Sequence, residues 1–429
     1  MGKLILSLNG LVVGNVEKLA SGGLTFQYDA QWINRPGSRP ISLSLPLAEK
    51  LYTGAVVYNF FENLLPDNAR IRERIQARFK VSSSHVFDLL EAVGSDCVGA
   101  IQLSAQKPID VKQVLSTPIS TIDIEKMLQG YKEAPLGMQV DDDDFRISIA
   151  GAQEKTALLW LNQQWHKPVG VTPTSHILKL PIGELSGTNI DLTDSCENEF
   201  ICLELARALG FEVASSKVEY FGQTKVLSVE RFDRKWSADG SWLMRLPQED
   251  FCQAMGYSAA QKYQADGGPS IKDCMDLLSA STQQSDRDIF FKSQILFWLL
   301  AAIDGHGKNF SVFLQSHNRF VMTPFYDILS AYPILAKKKL QKQKIKMAMS
   351  LKGKNVHWHW YGIQPRHFIS TAKFAGYSQD KARQSFEQIM DEIDGAIAKV
   401  EMLIPDLFPG YVATSIFAGV RERVKKAKL

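Results

Sequence analysis

A nine-residue apolar run, Ile295-Leu296-Phe297-Trp298-Leu299-Leu300-Ala301-Ala302-Ile303, opens directly onto Asp304-Gly305-His306-Gly307-Lys308-Asn309. This run constrains the fold more than any other feature of the chain. A membrane-spanning helix needs roughly 20 apolar residues, so the run has to be buried in protein, and it is expected to be a core helix. The chain can build such a core: it has 429 residues, 45% of them apolar and 22% charged. That suffices for two or three packed units and excludes a disordered chain. A polar loop at the end of a buried helix is rigidly mounted, as a catalytic group requires. After the loop, Phe310-Ser311-Val312-Phe313-Leu314 alternates as a strand. Residues 315–319 form a polar turn, and Phe320-Val321-Met322 reads as the return strand leading to Tyr326-Asp327.

Phosphoryl transfer uses a carboxylate to orient the attacking hydroxyl and oxygen ligands for Mg²⁺ a short loop away. Kinases meet this with an Asp, four residues and an Asn, and Asp304 and Asn309 have that spacing. The same spacing recurs at Asp29 and Asn34 in a plain loop, so context separates the two. Asp327, beyond the hairpin, stands where kinases place the second Mg²⁺ carboxylate. The triplet there is Asp327-Ile328-Leu329, so the match is one of position. Asp304 is the candidate base, with Asn309 and Asp327 the candidate Mg²⁺ ligands. Lys179, in the alternating Ser175-His176-Ile177-Leu178-Lys179, is the candidate phosphate lysine, and it could equally be a surface lysine. Glu199, near the start of the next helix, is one possible partner for it, with Glu197 or a plain solvated face as alternatives. No G-x-G-x-x-G or G-x-x-x-x-G-K-[ST] occurs. A phosphate loop must therefore be something else, and Ser148-Ile149-Ala150-Gly151-Ala152-Gln153-Glu154-Lys155 is the candidate: its small residues allow close backbone approach, although taken alone it reads as a hairpin loop. Glu230, Arg231 and Phe232 fall where β structure gives way to helices, as an adenine-binding connector would, or a plain strand end with alternating charges.

The chain divides by pattern into residues 1–110, β-rich with helices, 111–235, a mixed small-lobe region, and 236–429, mainly helical. In the first segment, strands at 4–8 and 11–13 flank an Asn9-Gly10 hairpin turn. Alternation at 24–28 and 41–45 predicts further strands. Helices are expected at 57–65, from 71 and at 86–93, and a strand at 98–103. Five cysteines without close pairing read as reduced, buried thiols. A formal charge of +3 is too mild to indicate nucleic acid. The start of the chain has no signal-peptide pattern, so a cytoplasmic protein with no membrane partner is expected.

Taken together, residues 148–156, Lys179-Leu180-Pro181, Val229-Glu230-Arg231-Phe232-Asp233-Arg234, Leu246-Pro247-Gln248-Glu249-Asp250 and Asp304-Gly305-His306-Gly307-Lys308-Asn309-Phe310 resemble the HipA family, the toxin kinases of HipA–HipB toxin–antitoxin modules. The resemblance runs from Leu4 to about residue 410. It implies an α+β, bilobal protein-kinase/lipid-kinase-like fold with an N-terminal β-rich module and a helical C-terminal lobe. It also implies ATP and Mg²⁺ as cofactors, with Asp304 as base, Asn309 and Asp327 on the metal and Lys179 on the phosphates. The 151–155 loop would lie above the phosphates, Glu230 and Phe232 at the adenine, and His306 and Tyr326 near the nucleotide. Ser148 matches an autophosphorylated serine. The implied partners are a small helix-turn-helix antitoxin dimer (HipB-like), operator DNA reached mainly through that antitoxin, and a protein substrate, glutamyl-tRNA synthetase. Modification of that substrate would halt translation and promote dormancy.

Two other readings share these residues. Asp304-Gly305-His306-x-x-Asn309 also resembles the D-x-H-x-x-N of lipid kinases, although no amphipathic membrane segment accompanies it. A DNA-bound corepressor with a residual nucleotide site would not need the full residue set. The run at 337–346, with six lysines in ten residues, is more basic than the resemblance leads one to expect. It reads as a solvated loop placed where an activation segment would meet substrate.

Overall fold

The computed structural model describes residues 2–107, 111–133, 153, 155–184, 190–405 and 408–427. Ser148, Ala150, Gly151, Ala152 and Glu154 lie outside the described residues. The chain forms two compact units. One comprises Met1–Leu180, Ser215–Ala260 and Ser311–Phe320, and the other Pro181–Ala214, Gln261–Phe310 and Val321–Leu429. Each unit is assembled from separate stretches of chain, which a reading in consecutive segments cannot express.

In the first unit, the N-terminal strands form an antiparallel sheet in the order Leu51–Tyr52, Leu24–Tyr28, Leu11–Lys18, Lys3–Leu8, Ile101–Ser104. Leu8 pairs with Leu11 across Asn9 and Gly10, both at positive φ, as the sequence predicts. Leu4, Leu6, Leu8, Val13 and Phe26 point inward against Phe60 and Phe61 of the helix Ala55–Glu62 and Leu89 and Leu90 of the helix Val86–Val93. The alternation at 41–45 does not produce a strand. Ser42 and Leu45 make an isolated bridge. The hydroxyls of Ser42 and Ser44 donate to the carbonyl of Gln253, and the Leu43 N–H donates to Glu249 at 2.7 Å. Side chain–backbone bonds replace a ladder here, so the period of two carries no strand.

A second antiparallel sheet in this unit runs Ser216–Phe221, Thr224–Glu230, His176–Lys179, Lys155–Leu161, Gln164–Pro168, Ser116–Pro118. Ile124 and Leu128 of the helix Thr121–Glu133 share a core with its Leu158, Trp165, Leu178 and Val226.

The second unit is mainly helical, as expected, and is built on Ser195–Ala208, Ile271–Leu278, Ser285–Leu299, Pro365–Phe374, Gln379–Glu401 and Gly410–Ala427. An antiparallel pair, Lys346–Lys352 with Val356–His359, interrupts it. The preceding lysines hid that strand in the sequence. The apolar run is buried from Ile295 to Ala302, with Ile303 half-buried, but the helix stops at Leu299. Ala301 adopts φ +49° and Ala302 N–H reaches back to Phe297 at 2.8 Å, a C-terminal cap that ends the helix before the loop. All five cysteines are buried free thiols, and among the described residues no helix is long and apolar enough to cross a membrane.

Candidate active site

In the helical unit the Asp304 loop is fixed from several sides. Ile303 O accepts from Ala348 N–H at 3.0 Å, and Ala301 O accepts from Ala331 N–H at 3.0 Å. Gly305 is required by space: a Cβ there would stand 2.4 Å from the Phe297 ring. His306 N–H donates to Asp304 O at 2.8 Å, and Gly307 N–H to Lys262 O at 3.0 Å. The Asp304 side chain is exposed. Its Oδ1 accepts from the Tyr263 hydroxyl at 2.5 Å, and the Tyr263 ring meets His306 edge-on with centroids 4.9 Å apart.

Asn309 ties the loop to Asp327. It is buried, and its Nδ2 donates to Asp304 O at 3.0 Å and to Asp327 O at 3.3 Å. With the amide nitrogen engaged on both carbonyls, Oδ1 is the end left to act as a ligand atom. Asp327 takes φ +59°, rare for a residue with a side chain. That turn is held by the helix Ser195–Ala208. Glu199 Oε1 accepts the Asp327 N–H at 3.2 Å, and Asn198 exchanges two 2.8 Å bonds with the Ser330 backbone. Tyr326 donates its hydroxyl to Lys308 O at 2.9 Å. The structure thus brings together Asp304, His306, Asn309, Tyr326 and Asp327. It adds Tyr263, Asn198 and Glu199, which support them.

These groups suit Mg²⁺, which takes hard oxygen ligands and usually retains waters and substrate phosphates beside one or two carboxylates. An amide oxygen and the Asp327 carboxylate form such a sparse donor set. Among the described residues no group of three or more His, Cys, Asp or Glu side chains could form an all-protein metal cage.

In the first unit, Lys179 is 6% exposed on a central strand, opposite Leu227 on one side and Lys155 on the other. Directly paired residues project from the same face of a sheet, so Lys155 and Lys179 form a cationic pair on one face. Gln153 donates to Leu180 O beside them.

The connector alternates. Glu230 is exposed and Phe232 half-buried, its ring edge-on to Phe313, while Arg231 turns inward. The Arg231 guanidinium donates to Asp233 at 2.9 and 3.0 Å, to Thr174 at 2.9 Å and to Cys97 O at 3.1 Å. It belongs to a buried cluster with Arg234, Arg245, Asp96 and Asp233. Arg234 and Arg245 approach Asp96 Oδ1 at 2.9 and 3.0 Å, and Gly99 N–H donates to Asp233 at 2.7 Å. Burial alone would raise the pKa of Asp233, but Arg231 and Arg234 outweigh it and hold the carboxyl below its ordinary value. Burial pushes Arg234 down to about 10, with Arg231 adding to the shift and Asp233 opposing it. The Arg231 guanidinium is thus engaged within the protein.

A carboxylate on a loop, an amide five residues on and a second carboxylate beyond a hairpin define the protein-kinase-like class of phosphotransferase sites. Residues 4–104 match the HipA N-terminal domain and residues 147–399 the HipA-like C-terminal domain. The chain is 31% identical to the putative kinase Y4mE of Sinorhizobium fredii NGR234, over 98% of this chain and 97% of that protein. It is 28% identical to the serine/threonine-protein kinase toxin HipA of Shewanella oneidensis MR-1, over 76% of this chain and 75% of that one. A Shewanella oneidensis HipA chain solved with HipB and operator DNA superposes with a TM-score of 0.82 at 24% identity, over 99% of this chain and 97% of that chain. The fold is therefore the one that chain has. The protein belongs to the HipA family and is a serine/threonine-protein kinase of that family.

Proposed function

We propose that the protein is the kinase toxin of a toxin–antitoxin pair and transfers the γ-phosphate of ATP to a serine or threonine hydroxyl of a protein. The observation that carries this reading is Asn309, whose amide holds the carbonyls of both Asp304 and Asp327. Asp304 orients the substrate hydroxyl and takes its proton. The hydroxyl oxygen forms a bond to the γ-phosphorus, the bond from that phosphorus to the bridging oxygen breaks, and ADP leaves with its electron pair. Asn309 and Asp327 are the residues that would hold Mg²⁺, which when bound neutralises charge on the phosphates. Lys179 and Lys155, with the loop from Ala150 to Glu154, contact the phosphates. Glu230 and Phe232 contact the adenine, with His306 and Tyr326 close to the nucleotide.

The relative solved with HipB and operator DNA supports a small helix-turn-helix antitoxin as partner, with operator DNA reached through it. Glutamyl-tRNA synthetase is the proposed substrate, its modification halting translation and promoting dormancy, and Ser148 the proposed autophosphorylation site. The test uses radiolabelled ATP with purified glutamyl-tRNA synthetase, wild-type protein and Asp304→Asn. Label on the synthetase from wild type alone supports the reading. Label from both proteins removes Asp304 as the base. Label on other lysate proteins but not on the synthetase keeps the kinase and discards the substrate.

A further inference from the structure

The helical unit holds a cavity of about 250 Å³ between the helix Tyr332–Ala336, the turn Trp360–Gly362 and the helix Gly410–Ala427. Its lining is divided by chemistry. Tyr332, Leu335 and Ala418 supply apolar surface, and Lys342, Lys426 and Arg423 supply positive charge. Glu422 is the carboxylate among the lining residues, 2.5 Å from Lys426 and 3.9 Å from Lys342. Three cations against one carboxylate leave a surplus of two positive charges.

Arg423 is the most telling of these residues. It is 6% exposed, and its guanidinium lies 3.8 Å from the Trp360 ring centroid and 5.6 Å from that of Tyr361. Its Nη1 donates to Tyr361 O at a long 3.4 Å, and its guanidinium also hydrogen-bonds the Tyr332 hydroxyl. Among the described residues no carboxylate lies within ion-pair distance of it. Ring stacking offsets part of the cost of burying a cation, but a guanidinium carries five donors, and a buried charge normally has a counter-ion. Lys342 comes from the basic run at 337–346, whose Lys337 is already engaged by Asp191 at 3.1 Å.

We propose that this cavity binds a small anion with a flat apolar body. The ring would lie against Tyr332 and Leu335, and the carboxylate or phosphate against Arg423, Lys342 and Lys426. The volume suits a molecule of one or two rings, just below the usual range for ligand pockets. None of these residues belongs to the Asp304 site, so the inference stands apart from the kinase reading.

The test is titration calorimetry on the full chain, with the nucleotide site first filled by a non-hydrolysable ATP analogue and Mg²⁺. The probes are indole-3-acetate, phenyl phosphate and the uncharged tryptophol. At least one anion should bind with one-to-one stoichiometry and at least tenfold more tightly than tryptophol. Their order tells carboxylate from phosphate. The double substitution Lys342→Glu, Lys426→Glu should weaken the anion at least tenfold. Ala418→Trp should abolish binding by filling the cavity. Residue 418 is exposed, so the indole need not enter the core, and circular dichroism would confirm the fold. Absence of binding by both anions at millimolar concentration would overturn the proposal. So would equal affinity for tryptophol, or binding unchanged by Ala418→Trp.

Discussion

Asp304 and Asp96 are the same side chain used in opposite ways. Asp304 is exposed, and among the described residues its carboxylate takes one hydrogen bond, from Tyr263. Asp96 is 2% exposed and meets Arg234, Arg245 and Thr174 at 2.9–3.1 Å. The group proposed to receive a proton is open to solvent, whereas the group that joins distant segments is surrounded. Asp96 links residues separated by 138 and 149 positions in the chain. Both carboxylates sit beside segments that carry the family resemblance. Such segments therefore mix residues proposed to contact ligand with residues that hold the connector in place.

The comparison is broken most directly by exchanging the losses. Asp304→Asn should lower turnover about a thousandfold, or ~4 kcal/mol in the barrier, while leaving ATP affinity and unfolding nearly unchanged. Single-turnover transfer and nucleotide titration on one preparation would show it. Asp96→Ala should do the reverse. It leaves the three arginines of the cluster with Asp233 as their remaining carboxylate, and breaking a buried ion pair costs about 3–5 kcal/mol. Urea unfolding should show that loss, and surviving folded protein should have a raised KM for ATP through a loosened Glu230–Phe232 connector. An Asp96→Ala protein as stable as wild type would mean that the cluster is not a keystone.

A third carboxylate tests what burial without a cation does. Glu249 is fully buried, and burial pushes its pKa up to about 8, only partly offset by hydrogen bonds from Ser42 and Leu43. In an unfolded chain it would titrate near the ordinary glutamate value, about 4.3. Between those values the folded protein keeps the proton and the unfolded chain has lost it, so stability falls as pH rises and levels off above about 8. Glu249→Gln should flatten this dependence, by on the order of 5 kcal/mol across the window. Urea midpoints at three pH values on both proteins would measure it. Parallel curves would assign the dependence to other groups.

The readable part of the site was local. Asp304, Asn309 and the hairpin before Asp327 lie within one stretch of chain, and their spacing records their geometry. The supports were not readable, because the fold alone brings them near: Glu199 reaches the Asp327 N–H across 128 positions and Tyr263 reaches Asp304 across 41. In the sequence Glu199 appears as a possible lysine partner, and nothing there signals the hydrogen bond that its carboxylate accepts from the Asp327 N–H. The early stop of the helix at Leu299 had a faint signal in Ala301-Ala302, where small side chains tolerate a left-handed cap. At 41–45 the misleading alternation came from serines whose hydroxyls bind backbone instead of solvent.

Tyr263 gives the smallest and sharpest test of the open carboxylate. Its hydroxyl donates to Asp304 Oδ1 at 2.5 Å, the kind of bond a substrate hydroxyl must make. Two roles are physically distinct. A positioning role holds the carboxylate so that Oδ2 faces the substrate. A competing role occupies the acceptor until substrate displaces it. A carboxylate accepts at two oxygens, and the Tyr263 ring is fixed against His306, so the positioning role is expected. Tyr263→Phe keeps that ring contact and removes only the hydroxyl. A hydrogen bond to a charged group contributes about 1.5–3 kcal/mol. Part of that should be recovered as water replaces the phenol, leaving a fall in kcat of roughly tenfold with KM for ATP unchanged. Competition predicts the other sign: a lower KM for the protein substrate and no loss of kcat. Measuring both constants for Tyr263→Phe against wild type decides between a residue that aims the base and one that guards it.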